Sequence, residues 1–158
     1  MDQEAIIQYV MGTFTGVEVV RPTDGPGAGD TFFFYDPQHN LDPQRRLPFA
    51  TIVTKDYGDF DNASQLNRLG LFRLNIGVSR DTFRALFGPP SSAESDQSPT
   101  YDYAALDRLL PHPVYAPQSW VCVLNPSEAT FQAVRPLLAE AYELAVRRYA
   151  KVRPAGES

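Results

Sequence analysis

The stretch LFRLNIGVSRDTFRALFGPP (residues 71–90) constrains the fold more than any other part of the chain. Residues 71–77 alternate. Phe72, Leu74 and Ile76 point one way and Leu71, Arg73 and Asn75 the other, the period of a strand. The next residues have the period and punctuation of a helix. Ser79 stands at the N-cap, and Asp81 lies in the first turn, where a carboxylate suits the positive end of the helix dipole. Val78 and Phe83 occupy staple positions. Phe83, Leu86 and Phe87 make the apolar stripe, and Gly88 with Pro89–Pro90 ends it. One face of the strand must therefore be core. The other, carrying Arg73 and Asn75 outward, is polar enough to meet water or a ligand.

The rest of the chain is read around this unit. Residues 2–11 are expected to form a short helix capped by Asp2, with Ile6, Ile7, Val10 and Met11 on one side and Gly12 at its end. VEVV (17–20), TFFFYD (31–36) and LPFATIVT (47–54) are expected strands, separated by the Gly/Pro loop 21–30 and the polar loop 36–46. SSAESDQSPT (91–100) reads as a polar linker. YDYAALDRLL (101–110) reads as a short helix with Tyr103, Leu106 and Leu110 inward. Pro113 and Pro117 bend the approach to SWVCVL (119–124), which is apolar on both faces and so an interior strand. Ser127 caps a last helix with the stripe Phe131, Val134, Leu138, Ala141, Ala145 and Tyr149. Pro136 is expected to kink that helix or to split off residues 128–134. The order α-β-β-β-β-α-α-β-α predicts an α+β fold: a mostly antiparallel sheet of about five strands with helices packed on one face. The chain is expected to be one domain over residues 1–152, with a flexible tail at 153–158.

Composition narrows the function. With 158 residues the chain can bury a core without staples. No apolar run reaches the ~20 residues of a membrane span. MDQEAIIQYV has no basic n-region, and the single Cys122 cannot form a disulfide within the chain, so a cytoplasmic protein is expected. The net charge is −5 and the pI about 4.9, which opposes binding driven by cations on phosphates. The charge is uneven. Residues 1–36 hold six acids and one base, whereas residues 128–153 hold three acids and five bases; the first reading of this is a solvated helix face, and the alternative is one basic C-terminal face on an acidic molecule.

Two segments carry a resemblance. TKDYGDFDNASQLNRLGLFRLNIGVSRDTFRALFG and HPVYAPQSWVCVLNPSEATF resemble a family of bacterial domains of unknown function, over roughly residues 1–150. That family has no assigned activity. More remotely, the order of elements is similar to the YjbR/MmcQ family, whose fold is CyaY-like. Pro113, Tyr115, Trp120 and Val123 match its proline–tyrosine–tryptophan approach, and residues 131–149 match its last helix. This resemblance implies a CyaY-like fold and a DNA-binding role. Where YjbR-like sequences carry an asparagine–lysine pair and a histidine before the tryptophan, this chain has Pro117–Gln118–Ser119. A CyaY-like fold also raises iron binding, but only Asp2 and Glu4 stand on the first helix.

Catalytic and metal patterns are sparse. Cys122 sits in an apolar strand, where burial raises a thiol's pKa and quenches it. Two separated histidines, His39 and His112, and one cysteine make no zinc pattern. From Asp56, the sixth and twelfth positions of a calcium loop would be Asp61 and Asn67 instead of glycine and glutamate. GPGAGD lacks the Lys-Ser/Thr of a P-loop. No metal or cofactor is expected. The segment TKDYGDFDNASQLNR (54–68) is too polar for core and long for a connection, and such loops are often functional. The candidate ligand site is Lys55, Tyr57, Asp59, Asp61 and Arg68 from this loop, with Arg73, Asn75, His112 and Trp120. The leading expectation is a non-enzymatic binding module for a small ligand or a protein. The alternatives are a DNA-binding protein of the YjbR type, and an enzyme using His112 or the Asp56/Asp59/Asp61 cluster.

Overall fold

The computed structural model describes residues 1–88 and 101–151. Pro89–Pro90, the expected linker 91–100 and the tail from 153 lie outside the described residues. The elements are α1 (Gln3–Thr13), β1 (Val17–Val20), β2 (Thr31–Tyr35), β3 (Ala50–Val53), β4 (Arg73–Gly77), α2 (Arg80–Phe87), β5 (Leu110–Pro111), β6 (Trp120–Leu124) and α3 (Glu128–Lys151). The strands form one antiparallel sheet in the order β1-β2-β3-β4-β6-β5. The fold is α+β, as expected, with six strands among the described residues instead of about five.

Alternation along the strands divides the sheet into two faces. Phe33, Ala50, Ile52, Leu74, Ile76, Val121 and Val123 face the helices. They pack with Ile6, Ile7 and Val10 of α1, Phe83 of α2, and Phe131, Val134, Leu138, Ala141 and Ala145 of α3. Each such large side chain contributes about 1.5–3 kcal/mol by leaving water. Ser79 caps α2 as expected: its hydroxyl accepts from the Thr82 N–H at 3.1 Å. The same helix start is tied to α3 through Glu140, which accepts from the Ser79 N–H at 2.9 Å and from the Thr82 hydroxyl. Burial pushes the Glu140 carboxyl up, but these hydrogen bonds outweigh it and hold the group below its usual range.

The opposite face carries Phe32, Thr51, Val53, Arg73, Asn75, Trp120, Cys122 and Leu124, and loops cover it. Leu66 of the 54–72 loop is buried against Val53 and Leu124 in a small second cluster. Arg73 and Asn75, expected to point outward, are therefore buried, at 0% and 2% exposure. The polar loop thought unfit for core also buries Asp61 and Ser64.

Four local expectations are corrected. Helix α1 runs through Gly12 to Thr13, with Phe14 as the C-cap, since one interior glycine costs only about 1 kcal/mol. Helix α3 is a single element through Pro136, so residues 128–134 are not split off as a separate turn. Phe131, Val134 and Leu138 are buried on both sides of that proline, so packing holds together what local preference would split. On α2 only Phe83 of the expected stripe is fully buried, and Leu86 is exposed. Residues 101–110 are not a helix. The Asp102 carboxylate accepts from the Ala104 N–H at 3.1 Å, a local turn. Asp107 has φ +58°, and its N–H donates to the Leu124 carbonyl at 2.7 Å. Leu110–Pro111 then add the edge strand β5 to β6. A ten-residue helix is marginal alone, and pairing with β6 wins over it.

Candidate ligand-binding cleft

The site is built on β4. Arg73 is fully buried, and its guanidinium is engaged on every side. Nε donates to Asn75 Oδ1 at 2.8 Å. Nη1 donates to Asp61 Oδ1 and Ser64 Oγ, both at 3.0 Å. Nη2 donates to Asp61 Oδ2 at 2.6 Å, completing a two-pronged ion pair. Asn75 in turn donates from Nδ2 to the Thr51 hydroxyl at 2.9 Å. Thr51 and Asn75 are cross-strand partners, as are Val53 and Arg73, so the antiparallel register sets this polar row.

Asp61 reaches Arg73 because DYGDFD folds into a tight turn. The Tyr57 N–H donates to the Asp61 carbonyl at 2.9 Å and the Phe60 N–H to the Tyr57 carbonyl at 3.1 Å. Gly58 sits in this turn at φ +56°, a left-handed conformation that favours glycine. The turn aims Asp61 inward and leaves Phe60 at 63% exposure. A second clamp fixes its start. The buried Asp30 carboxylate accepts from the Thr54 N–H at 2.9 Å and the Thr54 hydroxyl at 3.1 Å. It also accepts from the Tyr57 hydroxyl. Burial first, then this bond and the Asp30 charge, raise the Tyr57 pKa, so the phenol keeps its proton.

His112 closes the floor. Pro113 has no N–H, and the imidazole Nδ1 accepts from the next two donors, Val114 and Tyr115, each at 3.0 Å. Nε2 lies 3.2 Å from Arg73 Nη2. Burial, and then the Arg73 charge, push the imidazole down to about 3, so it is neutral at physiological pH. The Tyr115 ring lies 5.0 Å from the His112 ring and 6.1 Å from Phe60. Trp120 is the cross-strand partner of Gly77. A Cβ on that glycine would come within 3.0 Å of the indole, so the missing side chain lets the ring lie over β4.

These groups line a cleft of about 490 Å³. Phe32, Tyr57, Phe60, Tyr115 and Trp120 form aromatic walls, and Thr51, Asp61, Arg73, Asn75 and His112 form a polar floor. The size and the few convergent polar groups are those of small-molecule sites. A second cavity of about 620 Å³ lies between loop 40–47 and the last turns of α3, beside Arg45, Arg46, Arg148 and Lys151. There Arg46 is neutralised by Glu18 and Asp36, and Arg45 pairs with Asp42.

Of the nine residues singled out in the sequence, Tyr57, Asp61, Arg73, Asn75, His112 and Trp120 line the cleft. Lys55, Asp59 and Arg68 do not. Lys55 turns to the Ala28 carbonyl and Asp30. Arg68 ties its loop to the Ala104 carbonyl at 3.1 Å, and Asp59 is exposed. The acidic cluster is dispersed, because Asp56 accepts from the Leu66 N–H while Asp61 pairs with Arg73. Phe32 and Thr51 escaped sequence reasoning. Only the pairing of β2, β3 and β4 aligns them with Asn75. Chemically the site recognises more readily than it reacts. The imidazole is a weak base with Nδ1 occupied, and burial pushes the Cys122 thiol up to about 12, away from the thiolate. Among the described residues no group of three or more His, Cys, Asp or Glu is placed to hold a metal ion. Nor is any helix among them long and apolar enough to cross a membrane.

No curated protein and no solved structure matches the chain, so the likeness to YjbR/MmcQ and the CyaY-like fold has no support from either. Residues 1–154 match the model of the family of unknown function DUF6194, and the chain belongs to that family.

Proposed function

We propose that this chain is a binding module for a small molecule held in the cleft over the loop-covered face of the sheet. One observation carries the reading: a buried Arg73–Asp61 pair stands at the floor of an aromatic-walled cavity. Burying a charged pair is at best break-even for stability against an apolar substitute. Its presence there, with Asn75, Thr51 and His112 around it, is the expense of a recognition site. The exposed rings of Phe60 and Tyr115 at the same cleft support this. A cytoplasmic location fits the single, buried Cys122.

A second reading places duplex DNA on the basic end of α3, as the YjbR resemblance implies. It is favoured by Arg148 and Lys151 beside the second cavity and opposed by the net charge of −5. One titration separates the two. Trp120 fluorescence is followed with a small-molecule panel and with short duplex DNA at two salt concentrations. Saturable quenching by a small molecule, weakened in Tyr115→Ala, supports the cleft. DNA binding that collapses with salt, with no small-molecule response, replaces it with the second reading.

A further inference from the structure

The polar floor of the cleft is spent within the protein. Arg73 donates to Asn75, Asp61 and Ser64, and its Nη2 is hydrogen-bonded with His112 Nε2 at 3.2 Å. Asp61 commits both oxygens to Arg73. Asn75 accepts from Arg73 and donates to Thr51, and His112 Nδ1 accepts from Val114 and Tyr115. Two polar side-chain groups of the lining have no protein partner among the described residues, the Tyr115 hydroxyl and the Trp120 indole N–H, and both belong to rings of the wall. The formal charges of the lining, on Asp61 and Arg73, cancel, and His112 is neutral.

The buried network holds the rings in place. The Asp61–Arg73 pair pins the turn that carries Phe60, and His112 Nδ1 pins the Tyr115 N–H. Of the seven large apolar side chains exposed among the described residues, three line this cleft: Leu47, Phe60 and Tyr115. Such side chains are ordinary when scattered singly, but gathered at one concave mouth they mark a binding surface. Trp120 is half-buried, with Gly77 beneath its indole, and no other ring or cation is paired with it among the described residues.

Resting on the reading of the cleft as a binding site, we propose that its ligand is an uncharged fused-ring aromatic molecule, held by the rings of Trp120, Tyr115 and Phe60 and not by the polar floor. An anion would leave water for a cleft whose one lining cation is already neutralised, and an ammonium would face the Arg73 guanidinium. Each ring contact adds about two- to tenfold in affinity beyond the area it buries. A cavity of about 490 Å³ lies in the range of drug-sized ligands and exceeds what a single ring fills.

The test is a titration of the full chain with four matched probes: naphthylmethanol, naphthoate, naphthylmethylamine and the saturated decalinmethanol. Binding is read from the Tyr115 amide and Trp120 indole N–H signals in ¹H–¹⁵N spectra. Naphthylmethanol binds about tenfold or more tighter than the other three. Phe60→Leu and Tyr115→Leu keep apolar bulk at exposed positions but remove a ring. Each lowers naphthylmethanol affinity by about two- to tenfold and leaves decalinmethanol unchanged. Equal binding of naphthylmethanol and decalinmethanol, or an equal fall of both in the leucine variants, overturns recognition by the rings and leaves the cleft reading intact. Preference for naphthoate or naphthylmethylamine overturns the uncharged ligand. No shift of either signal with any of the four overturns both the ligand class and the cleft reading.

Discussion

Removing Asp61 is the perturbation whose size the structure defines best. Arg73 is 0% exposed, and Asp61 supplies two of its hydrogen bonds, at 3.0 and 2.6 Å. In Asp61→Ala the guanidinium stays buried without its counter-charge, with Ser64 and Asn75 as its remaining protein acceptors. Breaking one side of a buried pair costs about 3–5 kcal/mol, a large part of the roughly 5–15 kcal/mol that holds a domain together. With a urea dependence near ~2 kcal/mol/M, the midpoint falls by about 2 M. The assay is urea unfolding at pH 7 followed by far-UV circular dichroism. Asp61→Asn keeps one acceptor oxygen and costs less than Asp61→Ala. Replacing both partners, Arg73→Met with Asp61→Leu, returns stability to within about 1–2 kcal/mol of the parent, because no orphaned charge remains. A cost below about 1 kcal/mol for Asp61→Ala, or a double variant as weak as the single one, refutes the account of Arg73 as a buried cation neutralised by Asp61.

Four further outcomes are expected. The His112 pKa is near 3 in the folded chain against 6.5 in the unfolded. The unfolded state therefore binds more protons across that window, and stability contributed above pH 6.5 is lost as the pH falls towards 3, by about 3 kcal/mol between pH 7 and pH 4. His112→Asn shows a correspondingly smaller pH 7 to pH 4 difference in urea unfolding, and an equal difference counts against the buried neutral imidazole. Gly77→Ala displaces the Trp120 indole; its near-UV circular dichroism changes while the far-UV spectrum does not, and an unchanged near-UV spectrum contradicts the contact. Ser79→Ala removes the cap of α2 and lowers stability by about 1 kcal/mol, measured by thermal unfolding. The Cys122 thiol, buried and pushed up to about 12, reacts with Ellman's reagent only after denaturant is added; rapid reaction of the native protein contradicts its burial.

Local sequence determined the elements whose signals are complete within a few residues. The alternation of 71–77, the Ser79 cap with its Val78–Phe83 staple, the strand 120–124 and the stripe of α3 were all legible, because strand and helix periods and caps are short-range physics. It also singled out six residues that the structure brings to one cleft, since a polar loop next to a strand bearing Arg73 and Asn75 leaves those groups few other places to go. Tertiary structure alone decided the rest. Whether 101–110 coils or extends turns on a bond from Asp107 to Leu124, which no local window contains. Whether Pro136 divides α3 turns on packing of Phe131 and Leu138 against the sheet. Phe32 and Thr51 join the floor and wall of the cleft only through the pairing of β2, β3 and β4. Lys55 and Arg68, chemically as suited to a ligand as Arg73, are turned away by carbonyls at Ala28 and Ala104. Residue type sets what a side chain can bind; its neighbours in space, distant in sequence, set what it does bind.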